Sequence, residues 1–180
     1  MQTSFLSIDE IKSLGLKSVG KHVKISRNVK IYSPDKIDIG DNVRIDDFCI
    51  LSGNIKLGSN IHISPYVVLY GVMGIELEDF TGISARTTVY SAMDDFSGEY
   101  LMGPVHPEGT TNVTGGKVLI KRYTQIGAHC LVFPNVTIGE GVAVGACSMV
   151  NNSLKPWAIY FGIPARKFKE RPKGLLKYLY

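Results

Sequence analysis

The chain has 180 residues, of which 44% are hydrophobic and 20% are charged, and its formal net charge is +4. This is the composition of an ordinary single globular domain that is long enough to bury a core. No apolar run approaches the roughly 18 residues that a membrane-spanning helix needs, which excludes insertion into a membrane through such a helix.

The N-terminus and the cysteines predict a cytoplasmic protein. Residues 1–12 lack the basic region and the following apolar stretch that a secretory signal requires. The sequence contains no C-x-x-C pair, and an odd number of cysteines favours reduced, packed thiols over a disulfide framework. The cysteines are Cys49, Cys130 and Cys147.

The first predicted element is a short N-terminal helix. Ser7 and Glu10 have the S-x-x-E spacing of a capping box, which marks the start of a helix. We expect residues 1–18 to form a cap over the open first coil of the fold, whose backbone groups would otherwise be unpaired.

Aliphatic residues then recur with a period of six between residues 19 and 154. An α-helix requires apolar residues three and four apart, and a single strand requires alternation, so neither explains this period. Repeats of six residues are typical of a β-helix, in which each repeat forms one short face of a coil. The clearest positions are Ile45, Leu51, Leu57, Ile63, Leu69, Ile75, Ile120, Ile126, Val132, Ile138, Val144 and Val150.

Three such repeats close one triangular coil. One side chain per repeat points to the axis and stacks on its counterparts in the coils above and below, and the residue after it is expected at a tight corner. A second inward set is expected four residues further on, and phase shifts of two residues are expected near Ile39 and around residues 76–82.

The period stops in the middle of the chain and ends before the C-terminus. Residues 94–117 are rich in glycine and proline and are predicted to form a long inserted loop, which in a compact repeat array is usually functional or disordered. Residues 155–180 are expected to close the coil and to include a short helix. This tail has seven basic residues against the single acid Glu170. Such a tail is most often a solvated face and is in other proteins a nucleic-acid arm, but the residues that precede it favour a site for a polyanionic small molecule.

Several motifs in the second half of the chain resemble those of the hexapeptide-repeat acyltransferases. They are Ile126-Gly127-Ala128-His129, Pro134-Asn135-Val136-Thr137-Ile138-Gly139, Gly145-Ala146-Cys147-Ser148 and Gly162-Ile163-Pro164-Ala165-Arg166. The resemblance implies an all-β fold, a left-handed parallel β-helix of hexapeptide repeats with a long inserted loop and short terminal helices. It also implies a homotrimer with sites between subunits and acetyl-CoA or another acyl-CoA as the donor, without a metal.

The donor site follows from the same motifs. Small residues at the corners would leave backbone amides open to the pantetheine arm of CoA, and basic residues in the tail could bind its phosphates. By resemblance, the backbone N–H of Ala128 is the candidate oxyanion donor. The predicted donor-binding residues are Gly127, Ala128, Gly145, Ala146, Ile163, Pro164, Arg166 and Lys167.

The favoured acceptor hypothesis centres on Ser84 and Asp94, with Asp95 beside it. Their surroundings resemble nucleotide-linked amino-sugar N-acyltransferases, of the kind that acylate a dTDP-4-amino-4,6-dideoxyhexose for surface glycans. The resemblance implies that Ser84 and Asp94 orient the sugar amine. A neutral amine needs no strong base to attack, and a carboxylate can stabilise the ammonium that develops.

The alternative is a sugar O-acetyltransferase similar to galactoside or maltose acetyltransferases. His106, in a His-Pro of the inserted loop, would then be the general base that activates a hydroxyl. Many of those enzymes carry tryptophan before the Ile-Gly of the CoA corner, and here that residue is Gln125.

Two hypotheses from other classes are weaker. A zinc carbonic anhydrase of this fold needs three histidine ligands, but His22, His62, His106 and His129 contain no close pair. A non-catalytic scaffold would have no reason for the polar residues that flank the loop.

Overall fold

The computed structural model describes residues 4–179, and within this range the chain is almost entirely β. The helices are α1 (Ile8–Ser13) and two 3₁₀ helices, Pro34–Lys36 and Gly174–Tyr178. The strands are β1 (Ser18–Val19), β2 (Lys24–Ile25), β3 (Lys30–Tyr32), β4 (Ile37–Ile39), β5 (Val43–Ile45), β6 (Ile50–Leu57), β7 (Ile61–Ile63), β8 (Val68–Leu77), β9 (Gly82–Ile83), β10 (Thr88–Tyr90), β11 (Ala92–Asp94), β12 (Val113–Gly115), β13 (Val118–Ile120), β14 (Gln125–Ile126), β15 (Leu131–Val132), β16 (Thr137–Ile138), β17 (Ala143–Val144), β18 (Met149–Val150), β19 (Ala158–Phe161) and β20 (Arg166–Glu170).

The strands stack into three faces of a parallel β-helix. The first face contains β1, β4, the second halves of β6 and β8, β13 and β16. The second face runs through β2, β5, β7, β9, β14, β17 and β19. The third face contains β3, the first halves of β6 and β8, β10, β15 and β18. Every pairing between successive coils on these faces is parallel, as predicted for stacked hexapeptide repeats.

The core consists of columns of aliphatic side chains along the axis. On the second face, Ile45, Ile63, Ile83 and Ile126 are register partners in successive coils and are fully buried. All twelve positions predicted from the period of six are at most 3% exposed. The second inward set is buried as well, including Cys49 and Cys130, while Cys147 is exposed. The prediction of the core is therefore confirmed.

The corners differ from the expectation in one respect. The residue after an inward side chain is often small or polar, but the left-handed backbone falls two residues later and often on a large residue, such as Phe48, Tyr66, Arg86 and His129, with φ between 57° and 62°. Three of these side chains, Phe48, Tyr66 and Arg86, are exposed and stack on one another. The rings of Phe48 and Tyr66 lie 5.0 Å apart, and the Arg86 guanidinium lies 4.5 Å from the Tyr66 ring centre. Stacking offsets part of the cost of the unusual backbone conformation.

Two irregularities shift the phase of the repeat. The 3₁₀ helix Pro34–Lys36 takes up the extra residues between β3 and β4, close to the predicted place. The second shift was predicted around residues 76–82, and this prediction is wrong. The pairing of Gly53 with Gly71 and then of Ile55 with Ile75 places it inside β8. Because Ile75 and Leu77 are both buried, the spacing of aliphatic residues in the sequence does not show where the shift occurs.

Both ends of the β-helix have closing elements. The capping box of α1 is present, with Ser7 N–H donating to Glu10 Oε2 at 2.7 Å, and Ile11 packs against the core. Arg27 and Ser7 hold the pKa of the Glu10 carboxyl at about 2. At the other end β20 pairs antiparallel with β19, and the predicted C-terminal helix is the 3₁₀ helix. Within residues 4–179 no helix has the length and apolarity to span a membrane.

The insertion begins as a hairpin. The chain leaves the third face after β10, strands β11 and β12 pair antiparallel, and residues 95–112 form the loop between them. Gly116 N–H donates to the Ser91 carbonyl at 2.9 Å, which closes the base of the hairpin before β13 rejoins the first face.

A buried carboxylate predicts how the fold responds to acid. Arg44 Nε and His62 Nε2 each lie 2.7 Å from an oxygen of Asp46, which is 7% exposed. Burial raises the pKa of Asp46, but the hydrogen bonds from His62 and Arg44 outweigh burial and hold this pKa below its ordinary value. Because the pKa is lower in the folded state, the stabilisation is present above the unfolded pKa and is lost as the pH falls through the folded value.

We expect Asp46→Asn to lower the free energy of unfolding at pH 7 by about 1–3 kcal/mol. The melting temperature of the variant should fall less steeply than that of the wild type below about pH 4. Scanning fluorimetry from neutral pH downward checks both effects, with the exposed Asp9→Asn as the matched control. Parallel pH curves for wild type and Asp46→Asn would contradict this assignment.

Candidate active site

A broad cleft lies between the third face and the inserted hairpin. Its volume is about 920 Å³, and Asp94, at the end of β11, is its acidic residue. The stacked rings of Tyr70 and Tyr90, 5.5 Å apart, form one wall. The lining is completed by Val72, Ala92, Met93, Phe96, Pro104 and Val113. This cleft is apolar and aromatic with one negative group.

The Asp94 carboxylate is half-buried and has no hydrogen bond or ion pair with any part of residues 4–179. A half-buried carboxylate is normally paired, because removal from water is costly for a charge. A ligand that brings a cation or an N–H donor into the cleft would supply the partner.

The neighbouring Asp95 has a different environment from the one predicted. Its carboxylate accepts hydrogen bonds from Ser97 N at 2.6 Å and from Asn112 Nδ2 at 2.8 Å. These bonds from Ser97 and Asn112 lower the pKa of Asp95. Asp95 thus links the two ends of the loop. Any contribution of Asp95 to substrate binding would come through its effect on the position of Asp94.

Ser84 lies on a corner between the second and third faces. Because Ile83, Ile126 and Val144 are register partners, Ser84, Gly127 and Gly145 lie one above another in successive coils. The N–H groups of these three residues donate to the coil above, at 2.9, 2.8 and 2.8 Å. A Cβ on Gly127 would lie 2.6 Å from Ala146 N, so the close approach of the coils requires this glycine.

The next residue at each of these corners has a free backbone donor. The N–H groups of Ala85, Ala128 and Ala146 donate to no acceptor within residues 4–179, although the adjacent N–H groups are bonded. Together they form a row of outward-facing donors along one edge of the β-helix. Ala128 and Ala146 are among the residues predicted from the sequence, whereas Ala85 is not.

The C-terminal segment lies at the top of this edge. Gly162 O accepts from Met149 N at 3.0 Å and Ala165 N donates to Met149 O at 2.8 Å, which holds Ile163 and Pro164 next to the last full coil. Ile163 is 73% exposed. Of the predicted basic residues, Lys167 forms an ion pair with Glu170, whereas the exposed Arg166 side chain has no polar partner within residues 4–179.

Comparison with known proteins assigns the chain to a family. Residues 36–71 match the model of the bacterial transferase hexapeptide (six repeats). The chain is 40% identical over 177 residues to the dTDP-4-amino-4,6-dideoxy-D-glucose acyltransferase of Escherichia coli, covering 97% of this chain and 92% of that enzyme. The chain belongs to the hexapeptide-repeat acyltransferases.

Solved structures of an acyltransferase are closely similar to this chain. AntD, an N-acyltransferase from Bacillus cereus in complex with dTDP and 3-hydroxybutyryl-CoA, is 55% identical, with a TM-score of 0.96 over 99% of this chain and 95% of that one. Structures of AntD also include its S84C variant with dTDP-4-amino-4,6-dideoxyglucose and coenzyme A and its D94A variant with dTDP and coenzyme A. The predicted left-handed β-helix is confirmed by this match.

A more distant acyltransferase shares the fold alone. The maltose O-acetyltransferase of Clostridium difficile is 23% identical, with a TM-score of 0.59 over 92% of this chain and 74% of that one.

The predicted acceptor residues of this acyltransferase do not converge within one chain. Ser84 precedes β10 and Asp94 lies beyond its other end, so they flank the third face, and no contact joins them. His106, on the inserted loop, is exposed and bonds to nothing within residues 4–179.

In the sequence, Gln125 stands out only because many sugar O-acetyltransferases of the family carry tryptophan at this position. In the structure its side chain contacts Ser84, with Nε2 3.1 Å from Ser84 Oγ. In the part of the chain that the structure describes, no three His, Cys, Asp or Glu side chains are grouped closely enough to hold a metal ion.

Proposed function

We propose that this acyltransferase moves an acyl group from acyl-CoA to the amine of a dTDP-linked 4-amino-4,6-dideoxyhexose. The observation that carries the proposal is the unpartnered, half-buried Asp94 carboxylate in an aromatic cleft. An amine that becomes an ammonium during attack gains a counter-charge from a carboxylate there, whereas a hydroxyl needs its proton removed, for which a carboxylate is a weaker base than a histidine. The ligands of AntD and the name of the E. coli relative support the same acceptor class.

The donor is placed along the edge that carries the free backbone donors. The N–H groups of Ala146 and Ala128 can bind the amide carbonyls of the pantetheine arm and the thioester carbonyl, respectively. Arg166 is available for the phosphates of CoA, and Ile163 and Pro164 offer an apolar surface beside them. Lys167 would first have to leave Glu170. Acetyl-CoA is the simplest donor.

The reaction needs no covalent intermediate on the enzyme. The neutral sugar amine attacks the thioester carbonyl carbon, and the carbonyl electrons move to its oxygen, where the N–H of Ala128 stabilises the negative charge. Asp94 stabilises the positive charge that forms on nitrogen. Collapse of the tetrahedral intermediate breaks the C–S bond, and the proton lost from nitrogen neutralises the departing thiolate of CoA.

The site is proposed to form between subunits of a homotrimer. Two observations support this arrangement: Ser84 and Asp94 lie at opposite edges of one face, and the face between them carries exposed Tyr70 and Val72. In a closed ring, the corner of one copy can meet the hairpin of the next. We also place the enzyme in the cytoplasm, where its donor is made. The buried thiols of Cys49 and Cys130 agree with a reducing compartment.

Mixed assemblies test the shared site. We expect Ser84→Ala and Asp94→Ala chains to be weakly active alone but to regain activity when co-expressed and co-purified. With random mixing, about one quarter of the interfaces would carry both wild-type residues and activity would approach that fraction. Activity no higher than the mean of the two pure variants would show that both residues act from one chain.

The reaction itself is tested by release of thiol from acetyl-CoA. Release with dTDP-4-amino-4,6-dideoxyglucose but not with simple galactosides is the expected result. Release only with the galactosides would overturn the proposal and would direct attention to His106.

A further inference from the structure

Gln125 lies outward on β14, in the coil above Ser84. Its register partners are Gly82 below and Ala143 above. The side chain turns downward, across Gly82, and its amide nitrogen lies 3.1 Å from Ser84 Oγ and 3.3 Å from the backbone oxygen of Ile126. Gln125 is therefore the side chain that holds the Ser84 hydroxyl from the adjacent coil.

The contacts of Gln125 fix the orientation of its amide. The Ile126 carbonyl can only accept hydrogen bonds, so the NH₂ group and not the oxygen must face it. The same nitrogen faces Ser84, and its second hydrogen therefore goes to Ser84 Oγ. Ser84 is forced to act as the acceptor in this bond, which turns its own O–H away from Gln125.

The hydrogen of the Ser84 hydroxyl is left without an acceptor within residues 4–179. Ser84 is half-buried and lies beside Gly127, on coils about 4.8 Å apart. The free N–H of Ala128 follows directly. Two unused donors, one hydroxyl and one backbone amide, thus lie on neighbouring corners of the same edge.

Gly82 is the residue that makes room for this arrangement. Its φ is not in the left-handed region, so the backbone does not demand glycine there. A Cβ at this position would collide with Gln125 Oε1 and lie 3.1 Å from Gln125 Cδ. A side chain at position 82 would push the glutamine off Ser84.

We propose that Gln125 is a positioning residue that presents Ser84 as a hydrogen-bond donor to the thioester carbonyl oxygen, beside the N–H of Ala128. This inference rests on the proposed function and assigns Ser84 to the acyl group, not to the orientation of the amine. Two donors on the developing oxyanion act mainly on the transition state, so Gln125 affects kcat and has little effect on acceptor binding. Gly82 leaves the space that Gln125 occupies, and the proposal gives it no other role.

The decisive variant is Gln125→Glu, which keeps the size of the side chain. The introduced carboxylate accepts a hydrogen bond from the Ser84 O–H and so removes the donor. We expect kcat to fall by about 10²-fold, with the KM for the amino sugar changed less than about threefold. Relative to wild type, turnover should rise as the pH falls toward the ordinary glutamate pKa of about 4.3, because a protonated carboxyl can donate to Ser84 as the amide did.

Two further variants separate this role from damage to the fold. Gly82→Ala, which displaces Gln125 without changing it, should lower kcat in the same direction while the melting temperature shows that the β-helix remains folded. In a Ser84→Ala background, Gln125→Glu should add almost nothing to the loss, because the two residues act through one hydrogen bond.

The outcomes are distinguishable from failure of the proposed function. Wild-type enzyme that releases no thiol with the amino sugar would refute the proposed function. Active wild type together with unchanged kcat in Gln125→Glu and Gly82→Ala would overturn the role of Gln125. A Gln125→Glu loss that is undiminished in the Ser84→Ala background would overturn it too.

Discussion

Substitution of Asp94 by asparagine is expected to lower turnover of the amino sugar by about 10²-fold or more. The carboxylate is half-buried, has no partner within residues 4–179, and is the negative group of the cleft. Asparagine keeps the shape but removes the charge that stabilises the developing ammonium. Asp94→Ala should lose at least as much. Steady-state thiol release at saturating acetyl-CoA measures the effect.

Two substitutions in the inserted loop are compared with Asp94→Asn. His106→Ala distinguishes the two acceptor hypotheses, because the O-acetyltransferase hypothesis requires this histidine as its base, and our account expects turnover within about threefold of wild type. Glu108→Gln, an exposed acid on the same loop, is the matched charge control. A large loss in His106→Ala with little change in Asp94→Asn would contradict the assignment of the amine site.

Truncation of Ile63 to alanine is expected to lower the free energy of unfolding by about 2–5 kcal/mol. Ile63 is fully buried and stacks between Ile45 and Ile83 in the middle of the second face. The stability of a repeat fold is close to a sum of coil–coil interfaces, so a cavity in a central coil weakens the contacts on both sides of it. The melting temperature from scanning calorimetry, at fixed protein concentration, checks the prediction.

The chain offers a control of identical chemistry. Ile8 on α1 is 73% exposed, so Ile8→Ala removes the same atoms from a site that buries few of them. We expect a change within about 0.5 kcal/mol for this variant. Equal destabilisation by the two substitutions would mean that the aliphatic columns are not the source of stability.

The fold could be predicted from the sequence because the six-residue period is dictated by packing. Each coil needs one aliphatic side chain per face, and a polar residue at Ile63 or Ile126 would be buried without a partner. The position of the second phase shift could not be found this way. Ile75 and Leu77 are both buried, so either one can be taken as the inward residue of the repeat. Only the pairing of the strands shows which register is present.

The site could be predicted only in part. Small corners pointed to Ala128 and Ala146, but the free N–H of Ala85 follows from the hydrogen bonding of its neighbours, which the sequence does not show. The hydrogen bond between Gln125 and Ser84 joins residues that are 41 positions apart in the sequence. Only the stacking of coils brings them together. The role of Gly82 likewise appears only in the structure, where its backbone is not left-handed and a Cβ would meet Gln125.

The most direct test of the account uses two acceptors that differ in one atom group. Thiol release from acetyl-CoA should be measured with dTDP-4-amino-4,6-dideoxyglucose and with the matching dTDP sugar that carries a hydroxyl at carbon 4. We predict rapid release with the amine and at least about 10²-fold slower release with the hydroxyl, because a carboxylate is a weak base for a hydroxyl and His106 does not line the cleft. Equal or faster release with the hydroxyl sugar would contradict N-acylation as the function of this site.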